Sequence, residues 1–225
     1  MSRVYVARCC SYNREILEAA LNASLEAFAA ETASIKPGQK VLLKPNLLKA
    51  RPPERAVTTH PAVVAAVARW VKRLGATPII TDSPGGQFNA SVLCRVYRVT
   101  GMMAVAEETG AVLNYDTESV LLPCPEGRLM KMVDTLSVAA EADAVISLPK
   151  LKTHGLTRFT GATKNLFGLV PGVAKAAFHT RFPAVDRFSE MLIDILSQYK
   201  PVLTIMDAVT GMEGDGPSRG DPRHV

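Results

Sequence analysis

No carboxylate occurs between Asp143 and Asp186, although Lys150, Lys152, Arg158, Lys164, Lys175 and Arg181 all fall there, with His154 and His179 beside them. Cations with no acids among them point to an anionic ligand. Aromatic residues are also scarce, at 6%. The net charge of +5 would fit a nucleic-acid binder, but the excess roughly equals the surplus of this one segment. Elsewhere acids and bases nearly balance, and only Tyr97, Tyr115 and a few others could stack on bases, which speaks against DNA or RNA as the partner.

Cysteine is sparse too. Cys9, Cys10, Cys94 and Cys124 show none of the C-x-x-C spacings of zinc or iron–sulfur sites, and adjacent cysteines pair poorly with each other. Scattered thiols behind no signal peptide fit a reducing cytoplasm. No apolar run approaches the roughly 20 residues that span a bilayer. The glycines form neither G-x-G-x-x-G nor a P-loop, and no acidic spacing matches an EF-hand, so dinucleotide, NTPase and calcium-loop readings find no support.

What the chain does contain is 48% apolar residues against 21% charged over 225 positions, enough for a sizeable core. Helical spacing of Ile16, Leu17, Leu21, Leu25 and Phe28 predicts a helix capped by Ser11, after a short strand Val4–Ala7. Val41–Leu43 reads as a strand ending at Lys44-Pro45-Asn46. Thr59-His60-Pro61 opens a helix that Gly75 ends. Thr77–Thr81 is a strand ending in Asp82-Ser-Pro-Gly-Gly86. Residues 90–109 are helical with a break at Gly101, and Ala111–Tyr115 returns as a strand. Residues 120–134 read as a hairpin insertion. Leu136–Glu141 is a short helix, Ala144–Leu148 a strand, 186–199 a helix, and Val202–Met206 a strand followed by a glycine-rich loop.

Strands alternating with helices predict one α/β domain over residues 1–225, its mostly parallel sheet covered by helices on both faces. Parallel strands bring their polar carboxyl ends to one edge, where α/β proteins bind ligands. Since the chain stops after a polar loop, it is expected to continue past Val225 in the natural protein.

At that edge Lys44, Asn46, Lys150, Lys152 and Asn165 are the candidate ligand-binding residues, and Lys164 and His154 the candidate catalytic pair. Lysine, a compact point charge, suits phosphate or carboxylate. Surrounding cations should hold His154 neutral, as a base or metal ligand requires. His60 reads as a helix cap. Asp82 and Asp207 could hold a divalent metal, or could pair with the lysines and with turn amides.

Together Lys44-Pro-Asn46, Thr59-His-Pro61, Asp82-Ser-Pro84, Pro149-Lys-Leu-Lys-Thr-His154, Thr160-Gly-Ala-Thr-Lys-Asn-Leu-Phe-Gly168 and Asp207-Ala-Val-Thr-Gly-Met-Glu-Gly-Asp-Gly216 resemble the domain-of-unknown-function 362 (DUF362) family. That resemblance implies association with a ferredoxin-like iron–sulfur module or an electron-transfer partner. No cluster is expected within these residues, which lack the cysteine run. His154, Gly161, Lys164 and Pro171-Gly172 also lie in the order seen in the lactate racemase family, a weaker resemblance. It implies a lysine that holds a nickel-pincer nucleotide and histidines that move protons.

Two functions follow as expectations. One is an enzyme domain binding an anionic small molecule or nucleotide-like cofactor, with redox or isomerase chemistry. The other is a non-catalytic module docking an acidic or electron-transfer protein through its basic segment.

Overall fold

A computed structural model describes residues 3–225. Helix α1 (Arg14–Ala27) starts at Asn13, whose side chain accepts from the Glu15 and Ile16 amides, rather than at Ser11. A further turn, α2 (Ala29–Thr32), follows it. The expected strand Val4–Ala7 does not form: Val4 and Val6 are 86% and 88% exposed and pair with no strand among the described residues.

The first sheet forms largely as the periodicity predicts. Strand β1 (Lys40–Pro45) is buried from Val41 onward. Helix α3 (Pro61–Arg73) is capped by the His60 ring, which accepts from the Ala62 amide. Strand β2 (Thr77–Ile80) follows, then α4 (Ala90–Val99) and α5 (Met102–Thr109), divided at Gly101 with φ +80°. Strand β3 (Val112–Leu113) is only two residues long. Strands β4 (Ser119–Pro123) and β5 (Met132–Leu136) make the expected antiparallel hairpin, and one turn, α6 (Ser137–Ala140), leads into β6 (Ala144–Leu148).

The segment after β6 is more ordered than the loop expected from its sequence. It runs as β7 (Lys150–His154), β8 (Arg158–Thr160), the short turn α7 (Ala162–Asn165), a 3₁₀ turn (Leu166–Leu169) and helix α8 (Gly172–Arg181). Helix α9 (Val185–Tyr199) then leads to β9 (Leu203–Thr204). The glycine-rich tail is also stranded, as β10 (Asp207–Glu213) and β11 (Asp221–His224).

A five-stranded sheet in the order β3-β2-β1-β6-β9 is parallel throughout. Each face is covered, as a parallel sheet requires. Val41 and Leu43 of β1 pack with α1, α3, α4 and α5, while Leu42, one residue out of phase, packs with the hairpin, the 3₁₀ turn and α9. A four-stranded sheet, β11-β10-β7-β8, lies beyond the carboxyl edge of the first. The same two chain paths feed it, since β6 crosses Pro149 into β7 and β9 leads into β10, with the Asp207 amide bonded to the Pro149 carbonyl at 2.9 Å. Proline has no N–H to donate to a continued ladder, so the sheet breaks there and turns.

The hairpin is fixed to the domain by a buried carboxylate. Asp194 of α9 accepts from the backbone amides of Arg128, Leu129 and Met130 at 2.7 to 2.8 Å. Burial alone would raise its pKa, but the three donors and Lys131 hold it below the ordinary value. A depressed folded pKa contributes stability above the unfolded carboxylate range, and that stability is lost as pH falls through the folded value. Asp194→Ala should therefore cost roughly 1.5–3 kcal/mol at neutral pH. Urea unfolding should show the gap to the parent closing in acid; a gap independent of pH would contradict this account.

Candidate functional site

The strand ends form two linked polar clusters and one cleft. In the first cluster Lys44, at the end of β1, is fully buried. Its ammonium donates to the Pro45 carbonyl at 2.6 Å and to Asn165 Oδ1 at 3.1 Å, and lies 2.9 Å from Asp82 Oδ1. Burial lowers the Lys44 pKa, and Asp82 pulls it back up. Asn165 closes the cluster by donating to the Lys44 carbonyl and to Ser147 Oγ, which ties α7 to β1 and β6. The other Asp82 oxygen accepts from the Leu47 amide at 2.6 Å.

The second cluster centres on Asp207, at the start of β10. One of its oxygens accepts from Lys150 Nζ at 2.7 Å and from the His60 amide at 2.8 Å, and the other from Tyr12 Oη at 2.8 Å. Tyr12 stacks flat on the His60 ring at 3.6 Å. Between the clusters Lys152 is buried with neutral acceptors only, Asn46 Oδ1 at 2.8 Å and the Val57 carbonyl at 2.6 Å. Burial, with repulsion from neighbouring lysines, brings its pKa to about 7.

Asp82 and Asp207, the two candidate metal ligands, thus each face a lysine and backbone amides, and they belong to different clusters. No group of three or more His, Cys, Asp or Glu side chains able to hold a metal ion is gathered among the described residues. Of the candidate ligand-binding residues, Lys150 and Lys152 belong to the buried framework, whereas Lys44, Asn46 and Asn165 also border the cleft.

That cleft, of about 520 Å³, is lined by both candidate catalytic residues, His154 and Lys164, and by Lys175 and His179 of α8. Lys164 has no hydrogen-bond or ion-pair partner among the described residues, and its ammonium lies over the Phe167 ring at 5.5 Å. Burial and the nearby Lys44 lower its pKa to about 8. Lys175 reaches the Ser83 carbonyl from the far wall and lies over the same ring at 5.9 Å. Burial brings its pKa to about 7. Ser83 Oγ, buried on the cleft lining, has no hydrogen-bond partner among the described residues.

His154 is held from one side. Its Nδ1 accepts from the Leu156 and Thr157 amides at 3.1 and 3.3 Å, so the proton of the neutral ring sits on Nε2. Burial, then Lys164 and Lys152, push its pKa down to about 4.

Lys175 and His179 fell outside the candidates drawn from the sequence. Their signal was present in the carboxylate-free stretch and in their i, i+4 spacing, which puts both on one face of a helix. What was missing was the helix itself, since Phe178 is the main apolar anchor among its described side chains.

Gly168 shows how tightly the first cluster is built. A Cβ there would fall on Asp82 Oδ1 and within 2.5 Å of Lys44 Nζ. Gly168→Ala should therefore split the pair, at a cost on the order of 3 kcal/mol, the scale for breaking a buried ion pair. Gly85→Ala, where a Cβ meets nothing within 4 Å, should stay within about 0.5 kcal/mol. Equal thermal stability of the two variants would disprove the assignment.

The DUF362 family model, described as a domain of unknown function, matches residues 41–225. The thylakoid-associated protein sll1697 of Synechocystis sp. is 37% identical over 230 residues, a match covering 99% of this chain and 68% of that protein. The lactate racemase apoprotein from Thermoanaerobacterium thermosaccharolyticum aligns in structure at a TM-score of 0.48 and 15% identity, over 86% of this chain and 48% of that one. The racemase alignment is too distant to carry chemistry, so it is the family match over most of the chain, joined by the 37% identity, that places the protein: it belongs to the DUF362 family.

Proposed function

We propose that this domain binds an anionic small molecule in the cleft at the carboxyl edge of its parallel sheet. The observation that carries this reading is Lys164, a half-buried ammonium that lines the cleft with no counter-ion among the described residues. Lys44 and Lys150 already face Asp82 and Asp207, so their charges are matched. Lys164 and Lys175 approach the cleft from different walls and are the groups left to meet an anion. Ser83 Oγ offers a polar contact to the same ligand.

The geometry also supports a role for His154. A general base at His154 would need a free Nε2 lone pair, and that would move the ring proton to Nδ1, where two backbone amides already donate. His154 is therefore the cleft's neutral hydrogen-bond donor. Beside an anion held by Lys164 and Lys175, such a donor would suit polarising a carbonyl or hydroxyl oxygen of the same ligand.

Sulfate is the appropriate probe, because its own charge does not change in the working range. Replacing Lys164 or Lys175 by Met should weaken sulfate binding by about tenfold or more, the factor expected for a charge-assisted hydrogen bond of ~1.5 kcal/mol or more. Only protonated lysine attracts the anion, so affinity should fall as pH rises through about 7 to about 8. Calorimetric titrations showing binding indifferent to both replacements, or tighter at high pH, would refute the proposal.

A further inference from the structure

Lys164 borders a second cavity. A groove of about 310 Å³ opens between β8 and α9, and its lining includes Phe159, Gly161, Thr163, Lys164, Leu192 and Ile193. Phe159 and Ile193 are 47% and 55% exposed, large apolar side chains left in solvent on both sides of the groove. The arrangement is built in: the Phe159 ring lies so closely over Gly161 that a side chain at that position would strike it. Thus Lys164, with no counter-ion among the described residues, borders both the cleft and a groove that leaves two large apolar side chains exposed.

We infer that the ligand is an amphiphilic anion, its charged head held between Lys164 and Lys175 and its alkyl or aryl tail laid past Lys164 along Phe159 and Ile193. This inference rests on the anion-site reading and narrows it to a ligand class. Two physical features favour the tail as the groove's occupant. The groove adjoins the anion site at one shared lining residue, and that residue, Lys164, is the only charged side chain of its lining. An inorganic anion would leave the apolar side chains in water, whereas a tail of a few carbons would cover them.

A series of methyl, butyl and hexyl phosphates, titrated as soluble monomers, tests this directly. Affinity should rise with chain length by about three- to fourfold for each methylene that the groove buries, the factor that ~0.8 kcal/mol corresponds to. Phe159→Ala and Ile193→Ser should each flatten the rise, and Phe159→Leu should retain it. Methyl phosphate binding as tightly as hexyl phosphate would overturn the amphiphile and leave the anion site standing. Failure of every phosphate to bind would overturn both. Binding to phosphatidate-doped vesicles without response to the soluble series would also overturn it, in favour of a membrane surface.

Discussion

The buried Lys44–Asp82 pair is the constraint on which the cleft depends. It joins the ends of two neighbouring parallel strands, and Asn165 carries the link onward to β6 and to the turn that presents Lys164. Removing an ammonium and a carboxylate from water costs several kcal/mol per ion, which only close geometry and further hydrogen bonds recover. The surroundings supply these through the Pro45 carbonyl, the Leu47 amide and the Asn165 side chain. Gly168 is the space that lets the loop pass over the pair, and its carbonyl accepts from the Ser83 amide at 2.8 Å, holding the Asp82 loop in place.

Burial divides the lysines into two kinds. Those inside the fold, Lys44 and Lys150, are neutralised by Asp82 and Asp207 and serve as struts between strand ends. Lys164 and Lys175 reach the cleft with no carboxylate paired to them among the described residues, and desolvation depresses the pKa values of both. A bound anion would raise both pKa values, so binding and proton uptake are linked. Lys152 is intermediate: buried, held by an amide oxygen and a carbonyl, and repelled by its neighbours. A polar framework of this kind costs stability and gives the strand ends a single arrangement.

The parallel sheet was legible in the sequence because its strands obey the ordinary rule that apolar residues go inside. Val41–Leu43 and Ala144–Leu148 read as buried runs, and His60 read as a cap in its Thr-His-Pro setting. The second sheet was hidden because it inverts that rule. In β7 the residues pointing inward are Lys150 and Lys152, with Leu151 between them less buried, so the alternation resembles a solvated loop. Strand β10 buries Asp207, Val209, Gly211 and Met212, so its apolar signal is interrupted by a carboxylate and a glycine. The candidate site was recognisable from the same reversal: cations crowded into a stretch without acids. Which of them meet each other and which meet the cleft depended on β7, on α8 and on Asp82, a partner far away in sequence.

The inverted strands also fix the residues that border the cleft. In a simple parallel sheet the site is made by loops, whose backbone is held by few contacts and whose side chains are correspondingly mobile. Here β6 and β9 continue past the edge of the first sheet as β7 and β10, so the residues after the strand ends remain in a hydrogen-bonded ladder. His154 closes β7 with its ring tied to two amides, and Lys164 follows directly on the β7–β8 hairpin. The ladder thereby fixes His154, and the Asn165 hydrogen bonds fix the turn that carries Lys164, so a ligand binding there would meet groups already ordered. The cleft and the groove then share Lys164, just past the end of the β7–β8 hairpin.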